Sequence, residues 1–371
     1  MSTPPVHVTQ PIPVLARRAQ VMPAEWGRHD ATWLAWPHNV RDWPGRFGPI
    51  PWVYAEIVRN VARDELVRLL VLDAAHEKKV RRILERATVP LENVRFHRAR
   101  TDRIWTRDSG PIFVLRNGKK AIAGFRFNAW AKYPDWRNDA KNPSRAAKIL
   151  DVPLLPAVHR DRQVVLEGGA IDVNGQGTLL TTEECLLDPE VQVRNPGFRR
   201  EDYEQVFAEV LGATSTIWLG KGIAGDDTHG HVDDLARFVS PRLVVLCRET
   251  NPNDANHRPL EENRERLEGA KLQDGSRPEV VFLPMPAPVV FDGQRLPASY
   301  ANFYVCNAAV LVPTFNDPND RIALGILSEL FRDRPVVGIH ALDLVWGLGT
   351  LHCLSQQEPT APAAAAHPAP G

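Results

Sequence analysis

The chain has 371 residues, 43% of them hydrophobic, which is enough for one large core or two ordinary domains. Lysine plus arginine equal aspartate plus glutamate at 45 each, so no net charge favours nucleic acid or an anionic membrane, and we expect a small-molecule partner. No apolar run approaches the length of a membrane span and the proline-containing N-terminus is unlike a secretory signal, which predicts a cytoplasmic protein.

Both ends of the chain are predicted to be disordered tails. Residues 1–20 are rich in proline and lack periodicity, and residues 359–371 are low-complexity proline and alanine. Residues 21–358 show no long linker or break in composition, which favours a single α/β domain over two. The oligomeric state is left open, and a homo-oligomer is compatible with the sequence.

Short β-rich runs alternate with helical patterns along this domain. Strands are predicted at residues 31–36, 67–73, 94–99, 111–116, 121–127, 178–182, 216–220, 242–247, 280–284, 308–315 and 336–339. Helices are predicted at residues 53–64, 75–86, 199–211, 258–271 and 318–331. The last helix has the clearest signals, with Asp317 as N-cap and Pro318 in the first turn. The strand, helix, strand rhythm, recurring at roughly 60 to 70 residues, suits a divergent structural repeat.

The cysteines differ in their surroundings. None of the four lies in a C-x-x-C pair, which argues against a disulfide scaffold or a zinc ribbon. Cys185, Cys247 and Cys306 lie in apolar stretches, which predict buried thiols. Cys353 lies instead in LGTLHCLSQQE, beside glycines, a histidine and polar residues, and is therefore the candidate reactive thiol.

Four segments combine glycine with polar side chains. Glycine beside a charged residue usually indicates a tight turn that exposes that side chain, and catalytic groups concentrate in turns on a rigid scaffold. The segments are WTRDSGP (105–111), LEGGAIDVNGQGTLLTTEECLL (166–187), AGDDTHGHVDDLARF (224–238) and GLGTLHCLSQQ (347–357). Together they predict a site assembled from separated loops.

These segments supply a thiol, a histidine and carboxylates: Cys353, His231, Asp108, Glu167 and Asp233. Paired carboxylates match the N–H groups of a planar guanidinium, whose carbon is a poor electrophile that calls for a thiolate nucleophile. A histidine can protonate the departing ammonia and then activate water. The set is consistent with hydrolysis of a small cationic guanidino compound without metal or cofactor.

The motifs RDSGPIFV, EGGAIDVNGQGTLLTTEECLL, GHVDD and the HC of GLGTLHCLSQQ resemble the agmatine deiminase and bacterial peptidylarginine deiminase family of the pentein guanidine-modifying enzymes. The resemblance runs from residue 22 to residue 358 and implies a five-bladed α/β-propeller of ββαβ-type modules. It implies Cys353 as nucleophile, His231 as general acid and base, and Asp108 and Asp233 as guanidinium ligands. It also implies that Glu167 orients His231 and touches the substrate.

The chain departs from the agmatine deiminase pattern near the expected substrate. Leu348 and Thr350 replace a glycine and an asparagine before the nucleophile, while Asp227 and His229 replace a glutamate and an asparagine. Asp227 and Trp105 are candidate substrate contacts. The expected reaction converts agmatine to N-carbamoylputrescine and ammonia for putrescine biosynthesis, with peptidyl or free arginine as the alternative substrate.

Charge near the motifs favours agmatine, because arginine adds a carboxylate that needs a basic partner. Arg107 and Arg237 are the basic residues considered for that role. His352, beside the nucleophile, is expected to pack or to form hydrogen bonds rather than to act as a second base.

A metal-dependent hydrolase is the rival mechanism. Asp227-x-His229-x-His231-x-Asp233 alternates ligand types at a spacing that would place them on one face of a strand, and His-x-His-x-Asp is typical of zinc loops. The remaining histidines considered, His76, His97, His159 and His340, are scattered along the chain, so this mechanism ranks below the thiol mechanism.

Overall fold

The computed structural model describes residues 19–362, so residues 1–18 and 363–371 of the predicted tails lie outside the described residues. The folded part is slightly longer at both ends than predicted. Gln20 lies in a strand and pairs with Arg116, and Pro359 ends the last strand opposite His29. Proline is tolerated there because the last strand lies at the edge of its sheet.

Most strands are short. They are β1 (Gln20–Val21), β2 (His29–Ala35), β3 (Leu66–Val71), β4 (Val94–Arg98), β5 (Ile112–Arg116), β6 (Lys119–Gly124), β7 (Leu154–Pro156), β8 (Val158–His159), β9 (Arg162–Gln163), β10 (Asp172–Val173), β11 (Thr178–Thr182), β12 (Ser215–Leu219), β13 (Ala236–Phe238), β14 (Leu243–Arg248), β15 (Glu279–Pro284), β16 (Val290–Phe291), β17 (Gln294–Arg295), β18 (Tyr304–Val305), β19 (Val310–Thr314), β20 (Val336–His340) and β21 (Gln356–Pro359).

Residues 19–362 contain five longer and three shorter α-helices. They are α1 (Ile50–Val61), α2 (Ala74–Arg86), α3 (Thr106–Ser109), α4 (Asn142–Leu150), α5 (Glu183–Leu187), α6 (Arg200–Val206, continued by a π-helical turn over Phe207–Leu211), α7 (His257–Gly269) and α8 (Pro318–Leu330). None of them, within residues 19–362, has the length and apolar character needed to cross a bilayer.

The described residues contain five sheets of three or four strands that share one connectivity. In each, two strands pair antiparallel, the chain crosses over through a helix, and the next strand pairs parallel. We call these sheets modules 1 to 5: β21-β2-β3-β4, β1-β5-β6-β7, β10-β11-β12, β13-β14-β15 and β18-β19-β20. This is the ββαβ pattern that the resemblance implies, and the number of modules equals the number of expected blades.

Module 1 joins the two ends of the described chain. Its strand β2 pairs antiparallel with β21, with Trp33 opposite Gln356, and parallel with β3, with Trp33 opposite Arg68. The C-terminal segment that carries Cys353 is therefore fixed against the N-terminal part of the protein. Such a contact between distant parts of the sequence makes placement of Cys353 depend on completion of the fold.

The polar segments occupy equivalent places in the modules. Asp108 precedes β5, Glu167 precedes β10, Asp233 precedes β13 and Cys353 precedes β21. Each therefore lies in the loop that enters the first strand of an antiparallel pair. In module 5 the same place, before β18, is taken by Asn302.

Candidate active site

Several of the predicted site residues line a cavity of about 390 Å³. Its buried wall includes Trp105, Asp108, Trp130 and Cys353. Its more exposed wall carries charged and aromatic residues: Arg41, Arg103, Tyr133, Asp135 and Asp227. The cavity thus presents the thiol of Cys353 and the carboxylate of Asp108 on its buried wall.

Asp108 is held in a fixed orientation by two donors. It lies in the four-residue helix α3, where Oδ1 accepts from the backbone N–H of Gly169 at 3.0 Å and Oδ2 accepts from Trp130 Nε1 at 2.9 Å. A Cβ on Gly169 would lie 2.6 Å from His231 Nδ1 and 2.8 Å from Asp108 Oδ1, so only glycine permits these groups to meet. Burial raises the pKa of Asp108 to about 6, with Asp233 adding to the rise.

His231 lies among three carboxylates. Its Nδ1 is 3.7 Å from Asp108 Oδ1 and 4.0 Å from Asp233 Oδ1, and its Nε2 is 3.9 Å from Glu167 Oε2. Burial acts to lower the pKa of His231, but Asp108, then Cys185 and Asp233, outweigh it and raise that pKa well above its usual value. The ring therefore carries a proton at neutral pH and has the charge state of a general acid.

Glu167 lies close to His231. That it orients the ring stays a prediction. Both the Glu167 and the Arg194 side chains are fully buried, and Arg194 Nε donates to Glu167 Oε1 at 3.2 Å. Because that pair uses one oxygen of Glu167, the other, Oε2, is the oxygen that faces His231.

Cys353 is surrounded mainly by acids. Its Sγ is 3.8 Å from Asp233 Oδ2, and burial, followed by the charges of Asp233, Asp234 and Asp108, raises the pKa of the thiol well above its usual value. In the unliganded site the sulfur is therefore a thiol. A bound cation that neutralises these carboxylates would favour the thiolate.

Asn302 is a contact of Cys353 that the motifs did not reveal. Its Nδ2 lies 3.1 Å from Cys353 Sγ, and its Oδ1 accepts from the backbone N–H of His352 at 3.1 Å. The residue lies in the apolar stretch YANFYV, without the glycines that marked the other segments. The available signal was topological, since it requires the module repeat to place Asn302 in the fifth equivalent loop.

His352 forms hydrogen bonds, as predicted. Its Nδ1 is 2.6 Å from Asp233 Oδ2 and its Nε2 is 2.8 Å from Glu25 Oε2. Glu25 also accepts from Arg107 at 2.8 Å and pairs with Arg237 at 2.9 Å. Although burial acts to raise the pKa of Asp233, His352, His231 and Arg237 together outweigh it and lower that pKa, so Asp233 stays ionised.

Glu25 was not among the predicted site residues, because MPAEW carries no signal beyond a turn. Although burial acts to raise its pKa, Arg237, His352 and Arg107 outweigh it and lower the pKa of Glu25 well below its usual value. Arg107 and Arg237 are themselves buried against this carboxylate, so neither is free to receive a substrate carboxylate.

The two predicted substrate contacts line the same cavity. Trp105 is buried and packs against Trp43, with ring centroids 5.9 Å apart. Both oxygens of Asp227 already have partners, since Oδ1 accepts from Lys132 Nζ at 2.5 Å and Oδ2 accepts from the Tyr133 hydroxyl at 2.6 Å. Trp105 therefore presents an apolar wall, whereas the charge of Asp227 is partly neutralised.

The strand geometry on which the rival metal mechanism depends is not present in the segment from Asp227 to Asp233. Residues 224–231 form turns rather than a strand, and His229 has a positive φ of 66°, so alternate residues do not share a face. His229 bonds Asp188 at 2.8 Å and Asp227 bonds Lys132, away from His231. Among the described residues, the groups with ligand atoms within 4.8 Å of one another are instead Glu167, Cys185 and His231, and Asp233, Asp234 and Cys353.

Residues 21–359 match the family model described as Porphyromonas-type peptidyl-arginine deiminase. The chain belongs to this family. Two agmatine deiminases, from Ectopseudomonas mendocina and Stutzerimonas stutzeri, are 34% and 35% identical to it, each over 91% of this chain and 95% of the relative. These relatives confirm the resemblance to the agmatine deiminase and bacterial peptidylarginine deiminase family.

Solved structures of this family share the fold. The agmatine deiminase of Enterococcus faecalis superimposes with a TM-score of 0.84 at 28% identity, covering 96% of this chain and all of that one. A substrate-bound agmatine deiminase of C. jejuni gives a TM-score of 0.81 at 29% identity, covering 92% and 97%. The predicted α/β fold class is confirmed.

Proposed function

We propose that this family member is an agmatine deiminase, which hydrolyses the guanidinium of agmatine to N-carbamoylputrescine and ammonia through a covalent intermediate on Cys353. The observation that carries the proposal is the gathering of a thiol, a protonated histidine and two carboxylates: Cys353, His231, Asp108 and Asp233. These groups meet each chemical demand of guanidinium hydrolysis.

In the first half-reaction the carboxylates of Asp108 and Asp233 bind the N–H groups of the guanidinium. Its positive charge offsets the acids that raise the pKa of Cys353, so the thiol releases its proton to solvent and the thiolate forms when substrate binds. The sulfur adds to the guanidinium carbon to give a tetrahedral adduct. As the carbon–nitrogen bond breaks, His231 gives its proton to the departing nitrogen, which leaves as ammonia.

In the second half-reaction a water molecule attacks the thiouronium carbon of the enzyme-bound intermediate. His231, now neutral, takes one proton from that water. As the second tetrahedral adduct collapses, the carbon–sulfur bond breaks, its electron pair returns to Cys353, and the remaining hydroxyl proton passes to the sulfur, which restores the thiol. Overall, the guanidinium and one water give the ureido product and ammonia, which takes up the proton released by Cys353 and becomes ammonium.

The charges along the cavity support agmatine over arginine. Its lining contains four aspartates, Asp42, Asp108, Asp135 and Asp227, and two arginines, Arg41 and Arg103. The negative excess suits a substrate with a second cation at its far end.

The more buried of these arginines is already paired. Arg103 bonds Asp42 at 2.7 Å and Asp135 at 3.2 Å, so it offers little to a substrate carboxylate. Free or peptidyl arginine is therefore the second candidate.

The test compares kcat/KM for agmatine, free arginine and a peptide with a C-terminal arginine, measured as ammonia release with detection of the ureido product. We expect agmatine to be preferred and Cys353→Ser to abolish turnover while leaving the fold intact. A higher kcat/KM for either arginine substrate contradicts the substrate, and turnover by Cys353→Ser contradicts the covalent mechanism.

A further inference from the structure

We propose that Asn302 is a further catalytic residue, whose side-chain amide stabilises the thiolate of Cys353 and fixes the sulfur for attack. The proposal rests on the proposed function in that Cys353 is the nucleophile. Asn302 is 1% exposed and lies in the loop before β18, the one module whose entry loop supplied no predicted site residue.

The amide nitrogen of Asn302 uses both of its hydrogens. Nδ2 lies 3.1 Å from Cys353 Sγ and 2.9 Å from Asp234 Oδ1. No other side-chain donor to this sulfur is recorded among residues 19–362. A hydrogen bond from a neutral donor is roughly twice as strong to an ionised acceptor as to a neutral one, so this contact favours the thiolate over the thiol.

The orientation of the amide is fixed by its oxygen. Asn302 Oδ1 accepts from the Thr350 hydroxyl at 2.7 Å and from the backbone N–H groups of His352 at 3.1 Å and Cys353 at 3.4 Å. In the thiol form, Cys353 Sγ also donates to this oxygen at 3.4 Å. Exchanging oxygen and nitrogen would set the amide N–H groups against two backbone donors, and at 1% exposure the residue has little water to relieve that conflict. Nδ2 must therefore face the sulfur.

An amide suits this position better than a cation. Asp233, Asp234 and Asp108 all disfavour a negative sulfur, and a lysine or arginine beside Cys353 would relieve that repulsion. It would also occupy the carboxylates that have to bind the guanidinium. Asn302 supplies a donor without positive charge, so the site keeps its affinity for the cation while the thiolate gains a partner.

The same amide sets the geometry of the nucleophile loop. By accepting from Thr350, His352 and Cys353, Asn302 fixes three of the four residues from 350 to 353 to module 5. Strand β21 fixes the other end of this loop to module 1. Cys353 is therefore held from both sides, and a displacement of even 1 Å at a reacting atom is costly in rate.

The experiment follows alkylation of Cys353 by iodoacetamide as a function of pH, with mass spectrometry of the peptide that carries it. Asn302→Ala should alkylate roughly 10- to 100-fold more slowly at a pH where the wild type is partly ionised, the effect of one lost hydrogen bond to a charged group. Asn302→Asp, which keeps the shape and replaces the donor by an oxygen, should be slower still.

The direction of the change distinguishes this role from a purely structural one. If Asn302 only held the loop, its removal would expose the thiol and speed alkylation. The matched control is Asn263→Ala, a fully buried asparagine outside the site whose amide bonds Gly220 N at 2.6 Å and Lys221 O at 2.8 Å. It should alkylate at the wild-type rate.

A second readout separates chemistry from binding. Agmatine affinity, measured by calorimetry in the inactive Cys353→Ser protein, should be unchanged when Asn302→Ala is added. In the protein that retains Cys353, Asn302→Ala should lower kcat by the same factor as the alkylation rate. Alkylation of Asn302→Ala at or above the wild-type rate overturns the proposal. Because alkylation needs no substrate, it tests Asn302 even if the wild type fails to convert agmatine, a failure that would contradict the proposed function instead.

Discussion

Replacing Asp108 by asparagine removes one negative charge from the site while preserving the shape of the side chain. Its two oxygens accept from Gly169 N at 3.0 Å and from Trp130 Nε1 at 2.9 Å. In the variant, the new NH₂ group faces one of these donors, so a hydrogen bond is lost together with the charge. Loss of the charge should lower the rate of catalysis, whereas loss of the hydrogen bond should mainly lower the stability of the fold.

The magnitude follows from the expected contact with the guanidinium. Two unit charges about 4 Å apart at an effective dielectric constant of about 20 interact by about 4 kcal/mol. At about 1.4 kcal/mol for each factor of ten, Asp108→Asn should lower kcat/KM for agmatine by roughly a thousandfold. The lost hydrogen bond should lower the free energy of unfolding by about 1–3 kcal/mol, measured by urea denaturation.

Asp108→Asn should also change the pH profile, because Asp108 interacts with His231 at 3.7 Å. The pKa of Asp108 is about 6, so wild-type kcat/KM should fall as pH drops through about 6 and the carboxylate is neutralised; the variant should lack this limb. Although burial lowers the pKa of His231, Asp108 is the strongest group that raises it. In the variant, His231 should therefore lose its proton at a lower pH. The alkaline fall in kcat/KM should shift to lower pH with it.

The assay is ammonia release from agmatine between pH 5 and pH 10, on variants that unfold cooperatively. Trp130→Phe is the matched control, since it removes a donor to Asp108 but leaves the charge, and it should cost far less than the asparagine variant. A loss in kcat/KM below about tenfold for Asp108→Asn, or an alkaline limb at the wild-type position, refutes the electrostatic role assigned to this carboxylate.

Three further predictions concern the surroundings of the site. Glu25→Gln should lower the free energy of unfolding by about 3–5 kcal/mol in urea titrations, because Arg107 and Arg237 then stay buried without their shared counter-charge. Asp42→Asn should raise KM for agmatine more than KM for n-butylguanidine, because Asp42 Oδ2 has no hydrogen-bond partner among the described residues and can receive the second cation. Asp227→Asn should change the ratio of the two KM values less, because both of its oxygens already have partners. Equal changes in the two variants contradict this role of Asp42. Activity should survive exhaustive chelation, and loss restored by zinc would contradict the thiol mechanism.

The sequence predicted those helices and strands that are long enough to show a periodic pattern of apolar side chains. All five predicted helices and eleven predicted strands are present, with ends shifted by a few residues. Helix α8 has the predicted N-cap, Asp317, which also forms a capping box with Asp320, each side chain accepting from the backbone N–H of the other residue. Helix α4, Asn142–Leu150, was missed because its nine residues form too few turns for the helical period to be recognised, and two-residue strands such as β18 are too short to show alternation.

The candidate site was predicted to the extent that its residues lie in local motifs. Glycine-rich loops marked the segments of Asp108, Glu167, His231 and Cys353, which the structure brings to one region. Neither neighbour of His352, Glu25 at 2.8 Å nor Asn302 at 3.1 Å, could be found in this way. These contacts join residues separated by 327 and 50 positions, so they depend on the tertiary fold rather than on any local pattern.

The buried network around Glu25 explains how the site keeps its carboxylates charged without water. Asp233 is fully buried, which by itself disfavours its ionised form, yet His352 bonds it at 2.6 Å. Glu25 bonds the other nitrogen of that ring and is in turn neutralised by Arg107 and Arg237. The ring thereby links the two carboxylates, each of which faces a different ring nitrogen.

This network also connects catalysis to folding. Glu25 precedes β2, Arg107 lies in α3, Arg237 lies in β13 and His352 precedes β21, so one carboxylate joins segments of modules 1, 2 and 4. The desolvation cost of two buried acids is thus offset by cations that the fold buries beside them. The negative charge that receives a guanidinium is therefore held in place by fixed protein groups before the substrate arrives.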